Sequence, residues 1–349
     1  MDTGKQLRGK IVRSLFLMLL AAAALLGVRR SLAPAEAALP AFGEEEGRAV
    51  TALRAENDGE PAAKRRKNVY TLILAGLDEV SGNTDTILLG RVDAAAHRID
   101  LVSIPRDTYV NRSWEVRKIN CAYSAAKNTG ESGLDGLRDA VCGLCGFRAD
   151  CCVVAQLDTV ERAIDLMGGV YFDVPFDMDY EDAAQNLSIH IPAGYQRLDG
   201  EQCVQLCRYR KNYVNGDIDR IALQHDFLKA AARQFISLGS IPNLAKVVQL
   251  AASSIDSDLT AANIAFFLRC AIQCRAEDIS FATMPNRPAD AGGLSYTFAE
   301  KDEWLRQLND MLDPFDVPIR EENLDLVYLD NGAFRSTSGF IRGESYLHR

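Results

Sequence analysis

The sequence lacks the short motifs that mark many familiar enzyme classes. It contains no G-x-S-x-G, H-E-x-x-H, Walker A or G-x-G-x-x-G pattern, so the usual serine hydrolases, zinc proteases and nucleotide-binding enzymes lose support. Histidine is scarce, and the four copies form no metal-ligand motif. Any chemistry must therefore come from other side chains.

The chain outside the N-terminus has little basic character, because its acidic residues outnumber its basic ones. The first 30 residues carry a formal charge of +5, so the rest of the chain, whose total is −9, carries −14. A body this acidic is a poor candidate for binding nucleic acid through its phosphates, and we expect no nucleic-acid partner. With 349 residues and 48% hydrophobic content, the chain has room for one substantial globular domain.

Against this acidic background, one stretch, LCRYRKNYVNGDIDRIALQ, concentrates arginine. Arg208 and Arg210 lie two residues apart, so on an extended segment they project to the same side and could hold adjacent phosphate groups. Asp217 is predicted to be the N-cap of a helix on which Arg220 and Gln224 share one face. A solvated run of charge beside an ordinary amphipathic helix fits this stretch equally well.

Acidic residues flank two predicted strands upstream of this stretch. VYTLILAGLD, TDTILLGRV and RIDLVSIPRD each have the aliphatic, β-branched composition of a strand. Asp78 ends the first and Asp85 begins the second, so a short turn could bring both carboxylates to one edge of a sheet. Such a pair is either a magnesium site or ordinary turn chemistry. Arg106 follows the third strand, where α/β sheets present ligand-binding groups.

Helical and strand patterns alternate along the rest of the body, which predicts an α/β fold with helices on both faces of a sheet. The predicted helices are Leu134–Leu144, Leu157–Met167, Gly200–Cys207, Asp217–Ser237, Leu244–Ser254, Ala261–Cys274 and Lys301–Leu312. The further predicted strands are Cys151–Gln156, Val170–Val174, Leu187–Ile191, Ile279–Met284 and Leu324–Leu329.

An apolar run of 14 residues, Leu15–Val28, lies close to the N-terminus behind several basic residues. Its length fits a secretory signal about as well as a membrane anchor. The polar segment 31–67, rich in alanine and proline, resembles a tether. Its final KRRK run, Lys64–Lys67, is interpreted as a solvated surface run.

Nine cysteines are many for an exported chain, and an odd number leaves at least one unpaired. Cys151 and Cys152 are adjacent on a predicted strand and should face opposite sides, which disfavours a zinc cluster with Cys142 and Cys145. The pairs at 203 and 207, and at 270 and 274, have a spacing that suits packing of a helix into the core.

Seven short segments, in order, make the chain recognisable. They are GLD (76–78), TDT (84–86), SIPRDTYV (103–110), KINCAY (118–123), DLMGGV (165–170), LDGEQ (198–202) and RYR followed by GDIDRIALQ (208–224). Together they resemble the LytR-CpsA-Psr family over roughly 68–241, and more weakly through 283–298. Seven matches in order are far more specific than one short motif.

The resemblance implies a membrane-anchored phosphotransferase that moves a glycopolymer from a polyprenyl pyrophosphate carrier onto peptidoglycan. It implies a central mixed β-sheet flanked by helices on both faces, preceded by one transmembrane helix. Asp78 and Asp85 would bind Mg²⁺ or Mn²⁺, and Asp85 would also take part in catalysis with three arginines. The pyrophosphate would be bound by Arg106, Arg208, Arg210, Asp217, Arg220 and Gln224.

The same resemblance implies boundaries and a location. Residues 1–30 would form a cytoplasmic tip and an uncleaved anchor, 31–67 an extracytoplasmic linker, 68–329 the catalytic domain and 330–349 a C-terminal extension. The protein would be a single-pass protein of the cell membrane with its catalytic domain outside the cytoplasm.

One position departs from the family pattern: Asn83 stands where an arginine is usual, two residues before Asp85. A neutral amide cannot supply that positive charge. Two alternatives therefore remain beside the transferase: a polyprenyl pyrophosphate hydrolase, and a non-catalytic wall-associated regulator that binds the lipid pyrophosphate.

Overall fold

The computed structural model describes residues 63–77, 82–182, 187–209, 211–213 and 254–337, with Gly339 and a few single positions between 223 and 250. The predicted anchor and the predicted helices Asp217–Ser237 and Leu244–Ser254 lie largely or wholly outside these residues. Among the residues described, no helix has both the length and the hydropathy required to cross a bilayer.

Fourteen strands and six α-helices are found in the described residues. The strands are β1 Val69–Leu77, β2 Thr84–Asp93, β3 Arg98–Ser103, β4 Cys151–Gln156, β5 Val170–Val174, β6 Met178–Asp182, β7 Leu187–Ile191, β8 Gly194–Leu198, β9 Ile255–Ser257, β10 Ile279–Thr283, β11 Asn286–Ala291, β12 Leu294–Ala299, β13 Val327–Asp330 and β14 Ala333–Ser336. The helices are α1 Ala122–Asn128, α2 Gly133–Cys145, α3 Leu157–Met167, α4 Gly200–Arg208, α5 Ala261–Gln273 and α6 Lys301–Gln307.

A six-stranded mixed sheet forms the centre of the domain, in the order β10-β3-β2-β1-β4-β9. Strand β2 is antiparallel to both β1 and β3, whereas β4 is parallel to β1 and β10 is parallel to β3. The prediction of an α/β fold with a central mixed sheet is confirmed.

Both faces of this sheet are buried, which explains the nearly continuous apolar sequence of its inner strands. On β1, Leu72 packs into one core and Ile73 into the other. Neighbouring Cys151 and Cys152 divide between the two cores in the same way, as their adjacency on one strand predicts. Helix α3 contributes to the first core, and helices α2 and α6 contribute to the second.

All nine cysteines lie in the described residues as free thiols, eight of them buried and Cys121 partly exposed. Cys203 and Cys207 pack into the same core as Cys270 and Cys274, which confirms the packing role predicted from their spacing.

Several elements differ from the sequence-based expectation. β5 and β7 exist as predicted but belong to two-stranded ribbons, β5 with β8 and β6 with β7, outside the central sheet. The predicted helix 301–312 ends as an α-helix at Gln307 and continues as a π-helical turn, Leu308–Leu312. The predicted strand 324–329 begins three residues later, at Val327, as β13. Its hairpin with β14 includes residues on both sides of the predicted domain boundary between 329 and 330.

The KRRK run is exposed, as predicted, yet three of its residues also bind the domain, Lys64 through hydrogen bonds with Asp316. Arg65 Nη1 lies 2.6 Å from Asp150 Oδ2, and the Arg65 guanidinium lies 5.6 Å from the centre of the Phe315 ring. Arg66 donates a hydrogen bond to the carbonyl of Asp313. The polar segment is thus attached to the domain before β1 begins.

Candidate functional site

The start of β2 and the end of β3 meet at one edge of the central sheet because these strands are antiparallel. Leu88 pairs with Ser103, and the Ile104 N–H donates to the Ile87 carbonyl at 2.9 Å. Asp85 near the start of β2 and Arg106 just after β3 are therefore placed side by side. Leu77, the last residue of β1, pairs with Thr84 at the same edge.

Asp85 and Arg106 form a buried ion pair at this edge. Arg106 Nη1 lies 3.2 Å from Asp85 Oδ1, and the two side chains are 4% and 1% exposed, respectively. Removing one member of such a pair leaves a buried charge and typically costs several kcal/mol, although the intact pair adds little net stability. A buried pair at a sheet edge is therefore better explained by a role in binding than by stability alone.

A second carboxylate, Asp107, holds the same guanidinium from another side. Its Oδ2 lies 3.4 Å from Arg106 Nε, and its Oδ1 accepts from Lys118 Nζ at 2.8 Å. All three side chains are less than 20% exposed, so these charges are only partly screened by water. Arg106, Asp107 and Lys118 form a line of alternating charge that fixes the direction of the arginine.

Backbone contacts hold this line in place. The Asn120 N–H donates to the Arg106 carbonyl at 3.1 Å, and Thr84 Oγ1 donates to the Asn120 carbonyl at 3.3 Å. The 3₁₀ turn Ile119–Cys121 thus links the start of β2 to the segment after β3. Asp107 and Lys118 were not among the predicted site residues, although both lie in motifs already singled out, SIPRDTYV and KINCAY.

An aromatic cluster lies beside Lys118. The Lys118 ammonium lies 5.6 Å from the centre of the Tyr296 ring, and Tyr109 packs on both Tyr296 and Phe298. Arg117 Nη1 donates to the Tyr109 hydroxyl at 2.7 Å. The hairpin of β11 and β12, which carries Tyr296 and Phe298, is thereby packed against the loop that follows β3.

Asn83, at the position where the family pattern has arginine, is engaged in a hydrogen bond. Its Oδ1 accepts from the Ser124 hydroxyl at 2.7 Å, which ties the start of β2 to helix α1. The structure therefore gives Asn83 a contact that a longer arginine side chain would not reproduce.

Arg208 is the last residue of helix α4 and is half-buried. The prediction that it lies on an extended segment is wrong, because the helix runs one residue further than expected and extended backbone begins at Tyr209. A capping box between Asp199 and Gln202 fixes the start of this helix, which explains the LDGEQ motif. Burial and then Glu201 raise the pKa of Glu161, and nearby Arg208 opposes that shift.

Of the predicted site residues, the structure brings Asp85 and Arg106 together and places Arg208 at a helix end. Five others fall outside the described residues: Asp78, Arg210, Asp217, Arg220 and Gln224. Within the described part of the chain, no group of three or more His, Cys, Asp or Glu residues could hold a metal ion. The Asp85 carboxylate is nevertheless a hard oxygen donor of the kind that Mg²⁺ prefers.

Comparison with known proteins agrees with the ordered motifs. The LytR_cpsA_psr family model matches residues 43–312, which is most of the chain. The chain belongs to the LytR-CpsA-Psr family.

Individual relatives share about a quarter to a third of their aligned residues with this chain. The Bacillus subtilis protein named polyisoprenyl-teichoic acid–peptidoglycan teichoic acid transferase TagV is 26% identical over 56% of this chain and 51% of its own length. The Corynebacterium glutamicum cell wall biosynthesis protein LcpA is 33% identical over 50% of this chain and 37% of its own. The chain thus matches about half of the first relative and little more than a third of the second.

The fold is shared with solved members of the family. The crystal structure of B. subtilis TagV superposes with a TM-score of 0.54 at 21% identity, and the match covers 70% of this chain and 97% of the crystallised TagV chain. This likeness establishes the common α/β architecture with its central mixed sheet.

Proposed function

We propose that this protein transfers a glycopolymer from a polyprenyl pyrophosphate carrier to peptidoglycan, as a phosphotransferase that depends on Mg²⁺ or Mn²⁺. The observation that carries the proposal is the buried pair of Asp85 and Arg106 at the edge of the sheet. It places a fixed cation beside a hard oxygen ligand, which is the combination that a metal-bound pyrophosphate requires. The names of the family relatives support the same reaction class.

In this proposal the arginines bind the pyrophosphate oxygens. Arg106 is oriented in advance by Asp85 and Asp107, so little reorganisation is needed when charge develops on those oxygens. Arg208 would bind the same group from the end of helix α4. Arg210, Arg220, Asp217 and Gln224 would complete the binding set.

Asp78 and Asp85 would hold the metal ion. When bound, the ion would neutralise charge on the pyrophosphate and help to fix its geometry. Of the two predicted metal-binding acids, Asp85 lies in the described residues, and Asp78 and the substrate oxygens would have to supply further ligands.

The reaction itself demands little covalent chemistry from the protein. A hydroxyl oxygen of peptidoglycan attacks the phosphorus that carries the glycopolymer, and a new P–O bond forms. The bond to the bridging pyrophosphate oxygen breaks, and polyprenyl phosphate leaves. Asp85 is our candidate for the carboxylate that accepts the hydroxyl proton.

We also propose that Leu15–Val28 anchors the chain in the cell membrane as a single pass, with the domain outside the cytoplasm. Basic residues before this apolar run favour a cytoplasmic N-terminus. This orientation would place the site where both the lipid carrier and peptidoglycan are accessible.

Product analysis tests the reaction. The full chain is incubated with a polyprenyl pyrophosphate-linked glycopolymer and peptidoglycan oligomers, with Mg²⁺ or with excess EDTA, and products are identified by mass spectrometry. We expect a Mg²⁺-dependent phosphodiester-linked product. Hydrolysed glycopolymer alone would instead identify a hydrolase. Tight lipid binding without turnover would identify a regulator, the alternative that arises from the neutral Asn83.

A further inference from the structure

Two tyrosines lie exposed on the outer face of the ribbon formed by β5 and β8. Tyr171 is 47% exposed and Tyr195 is 75% exposed. Their ring centres are 5.9 Å apart and their planes differ by 22°. Single exposed apolar side chains are common, but a nearly parallel pair forms a continuous aromatic surface.

The strand register explains why the rings meet. Tyr171 pairs directly with Arg197, and Asp173 pairs with Tyr195, so the tyrosines are diagonal neighbours on the same face. The opposite face carries buried residues such as Phe172, which attaches the ribbon to the core. The ribbon therefore presents its two rings from a fixed base.

The polar groups beside the rings are balanced. Asp173 offers acceptor oxygens and Arg197 offers donors, and both are exposed on the same face as the rings. One acid and one base together provide both acceptors and donors, which suits a ligand that carries many hydroxyl groups. Arg197 Nη1 also donates to the Gly168 carbonyl at 3.1 Å, which steadies its position.

The ribbon is also connected to the proposed anion site. Helix α4 begins two residues after β8 and ends at Arg208. Helix α4 therefore joins the strand that carries Tyr195 to Arg208 through a single element of nine residues.

We propose that Tyr171 and Tyr195 form a stacking platform for the sugar rings of a glycan. The C–H face of a pyranose is apolar and packs on an aromatic ring, while its hydroxyls would bond to Asp173 and Arg197. This proposal rests on the proposed transfer function for its choice of ligand. The glycan is either the peptidoglycan acceptor or the transferred glycopolymer, which share this chemistry.

A membrane surface suits the ribbon less well. The following hairpin of β6 and β7 carries exposed acids, with Asp179 76% and Glu181 64% exposed. Anionic headgroups would be repelled by these carboxylates.

Direct binding measurements test the platform. Calorimetry on the full chain in detergent would use two probes: peptide-free glycan strands cut from peptidoglycan, and lipid-free glycopolymer released from the cell wall. We expect Tyr195→Ala to weaken one probe about three- to tenfold and the double variant with Tyr171→Ala to weaken it more. The affected probe identifies the source of the glycan.

Control variants separate the loss of the aromatic ring from other effects of substitution. Tyr195→Phe should retain binding because the ring remains, and Phe334→Ala, which removes a 49% exposed ring elsewhere, should bind normally. Arg208→Ala should lose transfer but keep glycan binding, so a failure of the proposed reaction is distinguishable from a failure of the platform. Unchanged binding of both probes by the double tyrosine variant would overturn the platform.

A fluorescence measurement tests whether the ribbon contacts the membrane. A polarity-sensitive dye at Tyr195→Cys, in a Cys121→Ser background, should report water when the full chain is embedded in nanodiscs. A bilayer-like emission would place the ribbon on the membrane and overturn the glycan assignment.

Discussion

At the scale of single residues, the candidate site depends on how one guanidinium is held. Arg106 is contacted by Asp85 and Asp107, and the second carboxylate is also bound by Lys118. The hydrogen bond from Nη1 to Asp85 is directional, and the charge of Asp107 beside Nε favours the same orientation of the planar guanidinium. Asp107 is therefore assigned as a positioning residue.

Substituting Asp107 tests this assignment. Asp107→Asn keeps the shape but removes the charge that Arg106 and Lys118 share, so we expect kcat for transfer to fall about tenfold with KM for peptidoglycan unchanged. Asp107→Glu should restore part of the rate. As a control, Asp135→Asn alters an acid on helix α2 that contacts Arg138 and Arg148, and it should leave kcat unchanged. A lower thermal midpoint with a normal kcat would make Asp107 purely structural.

Thiol reactivity gives a second prediction at this scale. Burial raises the pKa of Cys145, Cys152 and Cys207 to about 12, and that of Cys270 to about 11, so at pH 8 these groups are protonated as well as inaccessible. Cys121 is partly exposed. With Ellman's reagent we expect one fast-reacting thiol in the native, unmodified chain and nine in the same chain under denaturant. The native Cys121→Ser variant should have none. Two or more fast thiols in the native chain would contradict the described burial.

At the scale of elements, tight turns position the ribbon that carries the tyrosine pair. Gly168 is the C-cap of helix α3, with φ of 94°, and Gly169 follows with φ of 81°. A Cβ on Gly169 would lie 2.5 Å from the Leu198 carbonyl oxygen, whereas a Cβ on Gly168 would meet nothing within 4 Å. The double glycine thus serves both the helix end and the close approach of β8.

Alanine substitution separates these two requirements. Gly168→Ala should cost about 1–2 kcal/mol, since only the left-handed backbone is strained. Gly169→Ala should cost more, about 3 kcal/mol or above, because a backbone carbonyl must also move. Urea unfolding of both variants gives the comparison, and equal losses would show that the contact with Leu198 is relaxed without cost.

The sequence predicted the long, strongly patterned elements well and the short ones poorly. Strand β4 and helix α3 have the predicted bounds, β1 and β2 differ from them by one residue at one end, and β3 ends four residues earlier than predicted. These elements were found because their apolar pattern is set by burial in the two cores. Helix α1 and the hairpin of β11 and β12 were missed. The first is seven residues long without a side-chain N-cap, and the second has Pro288 in a strand, so tertiary contacts decide both.

The same distinction applies to the site. The strand pattern placed Asp85 and Arg106 at strand ends, and the family resemblance assigned both to one site. Their direct contact depends on the antiparallel pairing of β2 and β3, which the sequence did not predict. The pairing of Asp107 with Lys118 could not be predicted, since it depends on the path of the loop between positions 107 and 118. The helical position of Arg208 was missed because only the length of α4 decides it.

At the scale of the whole molecule, the sequence combines a basic N-terminus, +5 over the first 30 residues, with an acidic remainder of −14. Arg65 and Arg66, at the end of the polar segment, bind the domain. The ordered contacts of the domain therefore begin before its predicted first residue, position 68. In the proposed orientation, the domain faces the wall while the first residues stay in the cytoplasm.

Protease accessibility tests that orientation. Cells whose wall has been removed are treated with a protease that cannot cross the membrane, and the chain is detected through tags at each end. We expect loss of the C-terminal tag and protection of a tag before Leu15. Protection of both tags would place the domain in the cytoplasm and exclude the proposed location.

The most direct test of the central claim is the rate of linked-product formation by Arg106→Lys. Lysine keeps the positive charge but loses the planar fork, so we predict a loss of about thirtyfold to a thousandfold with Mg²⁺ and saturating carrier-linked glycopolymer. The control Arg233→Lys changes an exposed arginine and should retain the full rate. Thermal midpoints of both variants are measured in parallel. A folded Arg106→Lys variant that forms the linked product at the unmodified rate would contradict the assignment of this buried pair as the pyrophosphate site.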